Sequence, residues 1–241
     1  MNAIRNFYKK PKIFQVVYSV FQSIIGLIIS IFIILIIKFP VAVLFIVIIK
    51  PIVHFAIAPL LKLTGYYNYF SSMLLGVKKN SLIELHTGTL FDYFINLHWK
   101  EKGKVAKKKL MLNYFSGLLT LINEIEKENI SKQTNIIGIS FIFSEKTASK
   151  MGFSLEPVPF HRQILFYIDC VDLIVMNSFA NGKMSFPDLT KVKKIKTSGE
   201  NLVKAKKSIE SLLKKLEKRF SVESLEQIEK LKDEKVFPKS A

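Results

Sequence analysis

The sequence predicts an integral membrane protein: an N-terminal two-helix hairpin, transmembrane or re-entrant, followed by a cytoplasmic α+β domain with a helical C-terminus. Three observations carry this. Residues Ile13 to Ile37 form 25 consecutive uncharged positions, 19 of them hydrophobic. A second apolar segment, Phe39 to Leu61, follows at once, interrupted only by Lys50, Pro51, His54 and Pro59. Beyond it the pattern changes to alternating strand-like and helix-like periods, the mark of a mixed domain.

The first segment, as a helix, is about 37 Å long, enough to cross a hydrocarbon core of about 30 Å with tilt. It is too long for the core of a secretory signal and leads into Lys38-Phe39-Pro40 without a small-residue cleavage site, so it is expected to be retained. One continuous helix through residue 49 would be about 55 Å long and broken near its middle by Pro40. A hairpin over 13–61, turning at 38–40, is the better expectation.

Charge gives the orientation. Residues 1–12 form a basic N-terminus with Arg5, Lys9, Lys10 and Lys12 and no acid, while the turn carries Lys38 alone. The positive-inside rule then holds both arm ends, and both chain termini, on the cytoplasmic side of what we read as a bacterial inner membrane. A lone Cys170 accords with a reducing compartment and excludes an internal disulfide framework.

The polar pair Lys50 and His54 is the anomaly of the second arm, since a cation at mid-bilayer costs at least ~2.5 kcal/mol on insertion scales. Ser19, Ser23, Gly26 and Ser30 line one face of the first arm at helical spacing. With the turn at 38–40, Lys50 falls near Gly26 and His54 near Ser23. Both are therefore expected to face that small-residue stripe or a subunit interface, unless the hairpin only dips and Lys50 snorkels.

Residues 62–80 read as a connector whose Tyr66, Tyr67 and Tyr69 suit a membrane interface or an aromatic start to the core. Residues 81–241 read as the domain. Ser81 to Ile95 alternates as a strand that Gly88 interrupts; Lys104 to Glu128 has the period of an amphipathic helix with Met111, Tyr114, Phe115, Leu118, Ile122 and Ile125 inward. Asn135 to Phe143 reads as a buried strand, and Ser144 as the cap of a short helix ending before Gly152. Gln163 to Phe179 favours a helix. Thr197 to Glu200 matches a capping box opening a helix to about Arg219, and a last helix is expected over 222–235.

The 36 Lys plus Arg against 19 Asp plus Glu give a net charge of +17 beside 49% hydrophobic residues and a mean hydropathy of +0.27. That combination requires segregated apolar and charged regions and excludes intrinsic disorder. Only three of the basic residues are Arg, and Lys lacks the planar fork that reads bases, so sequence-specific nucleic-acid binding is not expected. Lys107, Lys108, Lys109, Lys193 and Lys194 suit anionic headgroups or an ordinarily solvated surface.

Phosphate-binding glycine loops, a zinc helix of the His-Glu type and a serine elbow are absent, and no cofactor or metal is expected. The most enzyme-like stretch is His86-Thr87-Gly88-Thr89-Leu90-Phe91-Asp92, with His86 as candidate base and Asp92 as its carboxylate if Gly88 turns the chain. Asp169 and Asp172 form either an acidic pair for a cation or a solvated helix edge near Lys183 or Arg162. His98 and His161 read as surface features. The expectation is a membrane-anchored accessory subunit or scaffold whose basic domain lies on the membrane and binds a partner protein or a second copy. The alternative is a membrane-embedded enzyme acting on a lipid or acyl substrate through His86; a pore subunit centred on Lys50 and His54 is a third reading.

Overall fold

The computed structural model describes residues 7–36, 49–97, 103–140, 144–159, 162–163, 169–188 and 192–218. A short 3-10 turn at Phe7–Lys9 precedes helix α1, Lys12–Ile36, whose start follows Pro11, a residue that tolerates the first turn because its missing N–H has no helical partner there. Of the described helices only this one, over Lys12–Ile33, is long and apolar enough to cross a membrane. The predicted turn at 38–40 lies outside the described residues.

Helix α2, Lys50–Leu63, packs along α1. The contact uses the small-residue stripe. A Cβ added at Gly26 would sit 2.5 Å from the Ala56 Cβ, so only glycine permits this approach. Ser23 donates to the Ala56 carbonyl at 3.2 Å and Gln22 to the Phe55 carbonyl at 2.9 Å. The exposure of α1 is inverted relative to a helix in water: Gln15, Ser19 and Ser30 are buried, whereas Ile13, Val17, Phe21, Leu27, Ile28 and Phe32 are each more than half exposed.

The domain is a mixed six-stranded sheet in the order β1-β2-β3-β4-β6-β5. Its strands are β1 Asn68–Tyr69, β2 Leu74–Lys79, β3 Leu82–Thr87, β4 Asn135–Ser140, β5 Ser154–Glu156 and β6 Lys193–Ser198. All neighbouring pairs are antiparallel except β3 with β4. That parallel pair is joined by a crossover through α3, Leu90–Asn96, and α4, Lys104–Glu126, as parallel pairing requires. The remaining helices are α5 Glu145–Lys150, α6 Cys170–Asn181, α7 Gly199–Lys204 and α8 over 206–218.

The α4 helix supplies the core. Leu110, Tyr114, Phe115, Leu118, Leu121, Ile122 and Ile125 bury against Leu74, Ile83, Leu85, Ile136 and Ile195 of the sheet and Leu202 and Ile209 of the C-terminal helices. At about 1.5–3 kcal/mol for each large side chain fully buried, this face dominates the stability of the domain. A second cluster joins it to the apolar helices: Phe7, Ala58 and Phe91 are fully buried, with Tyr8, Tyr18, Phe55 and Ile95 packed around them.

The strand expected over 81–95 is corrected. It stops at Thr87, and Thr89 then caps α3, its hydroxyl accepting from the Asp92 N–H at 3.3 Å while the Asp92 carboxylate accepts from the Thr89 N–H at 2.7 Å. Two reciprocal hydrogen bonds at a helix start outweigh a strand-like alternation that runs on through the helix. The connector is corrected in part, because residues 68–79 carry β1 and β2 and enter the sheet. Thr197 is the end of β6 rather than a cap: Ser198 accepts from the Asn201 N–H, and a turn at Ala205 separates α7 from α8. The helix expected over 222–235 lies outside the described residues. Ser144 does cap α5, accepting from the Thr147 N–H.

Candidate functional site

The sheet, α2 and α6 enclose a cleft of about 590 Å³. Its sheet wall carries Glu84, His86 and Thr87 of β3 and Lys79 of β2; its helical wall carries His54 of α2 and Asp169 and Asp172 at the start of α6. Tyr66, Tyr67 and Thr89 line it as well, and Arg162 reaches in beside Glu84.

On the sheet wall, Glu84 is 5% exposed. It accepts from the Arg162 guanidinium and, at 3.0 Å, from the Lys79 ammonium. Burial pulls its pKa up, but these two cations more than offset that and hold the carboxyl below its ordinary value. The His86 Nε2 lies 3.9 Å from Glu84 Oε1. The His86 side chain is 48% exposed, yet crowding by the surrounding protein is the main effect on the imidazole and lowers its pKa, with Glu84 opposing. In its neutral form His86 carries a lone pair able to accept a proton.

On the helical wall, His54 Nδ1 is 3.3 Å from Asp172 Oδ2 and its Nε2 is 3.4 Å from the Tyr67 hydroxyl. Burial pushes the Tyr67 phenol up to about 12. Lys50 donates to Asp169 and, at 3.5 Å, to Asp172. Asp172 is 4% exposed, and its second oxygen, Oδ1, is buried with no hydrogen-bond partner among the described residues. A buried carboxylate oxygen without a donor is the kind of group a bound ligand satisfies.

The residues singled out in the sequence are distributed unevenly. Lys50 and His54 turn away from the α1 stripe, which meets Ile52 and Ala56 instead, and towards the α6 carboxylates; Lys50 and His54 are four apart and so share a face that Ile52 and Ala56 do not. Asp169 and Asp172 thus share the Lys50 ammonium, with Asp169 half exposed and Asp172 buried. His86 and Asp92 do not pair. Asp92 is fully buried away from the cleft lining, accepting from Tyr8 at 3.1 Å, Tyr69 at 2.6 Å and the Thr89 N–H and hydroxyl at 2.7 and 2.8 Å. Lys62 caps this cluster, its ammonium 3.1 Å from the Tyr8 ring centroid and 4.4 Å from that of Tyr69.

Of the candidate headgroup lysines, Lys107 and Lys193 are exposed, Lys108 and Lys109 are half-buried on α4, and Lys194 donates to Glu156 of β5 at 2.8 Å. His98 and His161 lie outside the described residues. Sequence reasoning missed Glu84 and Arg162 as site residues and did not join Asp172 to His54. One signal was present: a cation and an imidazole four apart in an apolar helix require carboxylates, and Asp169 and Asp172 stand three apart in an apolar stretch elsewhere. Among the described residues no group of three or more His, Cys, Asp or Glu is placed to hold a metal ion. Comparison with protein-family models, curated proteins and solved structures found no match.

Proposed function

We propose that this chain is a membrane-anchored enzyme whose cleft binds the polar part of an amphiphilic substrate, a lipid or acyl compound, with His86 as the base. The observation that carries the reading is the cleft itself, whose lining brings together two histidines, His54 and His86, and three carboxylates, Glu84, Asp169 and Asp172. The acidic lining at Asp169 and Asp172 favours a hydroxyl or ammonium on the ligand. His86 takes the proton of a hydroxyl or water as its oxygen bonds to the acyl carbonyl carbon, and returns that proton to the leaving oxygen as the original acyl C–O bond breaks. The Arg162 and Lys79 cations nearby favour the negative charge that develops on the carbonyl oxygen. His54, held by Asp172 and Tyr67, orients the substrate from the opposite wall.

The membrane part of the reading is supported by the inverted α1. Exposed large apolar side chains with buried serines and glutamine suit a helix whose solvent is lipid. In this reading α2 completes an anchoring hairpin with it, and the positive-inside rule applied to the basic N-terminus and domain favours both termini on the cytoplasmic side of a bacterial inner membrane. Lys107 and Lys193 contact anionic headgroups.

A second reading, an accessory subunit binding a partner protein, is favoured by one observation: Met184 and Phe186 beyond α6 are 75% and 66% exposed. The two readings separate in one experiment. The full chain, reconstituted in vesicles of total bacterial lipid, is incubated and the lipids compared by mass spectrometry between wild type and His86→Ala. The enzyme reading expects a lipid species to change with wild type and not with the variant. An unchanged lipid profile, with a stoichiometric protein partner in mild-detergent preparations, overturns it in favour of the subunit reading.

A further inference from the structure

Outside α1, no large apolar side chain among the described residues is as exposed as Met184 and Phe186. They stand on either side of Ser185, in the loop that follows α6. The loop begins at Gly182, whose N–H donates to the Ser178 and Phe179 carbonyls at a φ of +70°, a left-handed conformation that glycine adopts without strain.

Ser185 is clasped to the helix the chain has just left. Its N–H donates to the Ser178 hydroxyl at 2.9 Å, and its carbonyl accepts from the Asn177 amide at 3.2 Å and the Ser178 hydroxyl at 3.4 Å. Its own hydroxyl accepts from the Asn177 and Asn181 amides, each at 3.1 Å. Five hydrogen bonds to one turn of α6 thus fasten the middle of the loop inward, and its two apolar neighbours are left outward. The ridge they form is a held shape.

The surroundings of the ridge are basic. Lys183 beside it is exposed, and a Cβ added at Gly103 would lie 3.8 Å from the Asn181 carbonyl oxygen, which brings the start of α4, with exposed Lys104 and Lys107, next to the loop. The acid in the segment, Asp188, follows the buried Pro187. Direction matters as well. Asp169 meets Lys50 and Asp172 meets His54, so α6 runs in the same sense as α2. The end of α2 is where Lys62 lies over the Tyr8 ring, just before α1 begins. The loop therefore leaves α6 towards the end of the molecule at which α1 starts.

We propose that this loop enters the headgroup region of the bilayer that holds α1, with Met184 and Phe186 reaching the acyl boundary and Lys183, Lys104 and Lys107 meeting anionic headgroups. Two side chains fall far short of the roughly 800 Å² that each partner of a standard protein interface contributes. A bilayer asks for no matching surface, and a few large apolar groups flanked by cations suffice to hold a segment at its boundary. The proposal rests on the membrane part of the reading above, that α1 is an anchor, and not on the chemistry of the cleft.

The test places a single tryptophan in the full chain. Trp99, the only tryptophan, is replaced by Phe, and Phe186→Trp, Met184→Trp or Phe32→Trp is added, the last as a reference on the exposed face of α1. Each protein is reconstituted in vesicles of three parts phosphatidylethanolamine to one part phosphatidylglycerol, with ordinary or brominated acyl chains. Tryptophan emission at positions 184 and 186 is expected to fall roughly twofold or more with the brominated chains, which quench only on contact. If position 32 is quenched while 184 and 186 are not, and both stay open to aqueous acrylamide, the loop faces water, its surface is left to a protein partner, and the proposal is overturned. Absence of quenching at position 32 would instead overturn the anchor on which the proposal rests, so the two failures are told apart. Either loop position decides alone should the other variant not fold.

Discussion

Asp92 and Asp172 are both buried carboxylates, yet their surroundings differ in one respect that separates structure from site. Asp92 receives four hydrogen bonds, from Tyr8, Tyr69 and twice from Thr89, and so ties the residues before α1 to β1 and to the start of α3. Asp172 spends one oxygen on Lys50 and His54, and its other oxygen is buried with no hydrogen-bond partner among the described residues. A fully satisfied buried acid is a fastening, because water or ligand has nothing to offer it. An incompletely satisfied one is a place where a ligand gains what the fold has left open.

The largest expected effect tests the fastening. Asp92→Ala strips four donors of their acceptor in a buried position and is expected to destabilise the full chain by about 3 kcal/mol or more in denaturant titration; a loss under about 1 kcal/mol would show that the tyrosines find other partners. Next comes the contact between the apolar helices. Gly26→Leu forces a side chain into the space already held by Ala56 and is expected to cost about 1–3 kcal/mol, with the thermal transition shifting down. An unchanged transition would mean that α1 does not pack on α2 through this stripe. Ser144→Ala, remote from both acids, is expected to cost about 1 kcal/mol through the lost α5 cap, which sets the scale of an ordinary local defect.

The smallest effect is one of sign. The Glu84 carboxyl is held below its ordinary 4.5, so its contribution to stability is complete above that value and is lost as the pH falls through its folded pKa. Asp92 runs the other way. Burial, against the pull of its four donors, raises its pKa above 3.8, so the fold gains from Asp92 as the pH drops through its folded value towards 3.8. Glu84→Gln is therefore expected to flatten the acid-side loss of stability measured from pH 6 to 3; a steeper loss in the variant would contradict the Arg162 and Lys79 pairing.

How much of this was legible in the sequence follows from the range of the forces involved. The α4 helix was readable because its inward face repeats within one element, and Tyr114, Phe115, Leu118, Ile122 and Ile125 are all buried as the period implied. The Ser144 cap was readable because its partner is three residues away. Thr89 and Asp92 are equally local, but an alternation running from Ile83 to Ile95 masked the cap between them. The cleft was barely legible. His54 meets Asp172 across 118 positions and Arg162 meets Glu84 across 78, and nothing local records pairings at that range. His86 was singled out because a histidine beside two hydroxyls stands out in any sequence; the carboxylate beside it was missed because Glu84 lies two positions before it, on the same side of a strand whose end was placed too late.

The account stands or falls on whether the cleft at Asp172 is a ligand site. The direct measurement is native mass spectrometry of the full chain released from mild detergent, wild type against Asp172→Asn, with the same denaturation midpoint verified for both. We expect wild type to carry a bound amphiphile of defined mass and the variant to have lost it while remaining folded. The same bound mass at the same occupancy in both proteins would contradict the account.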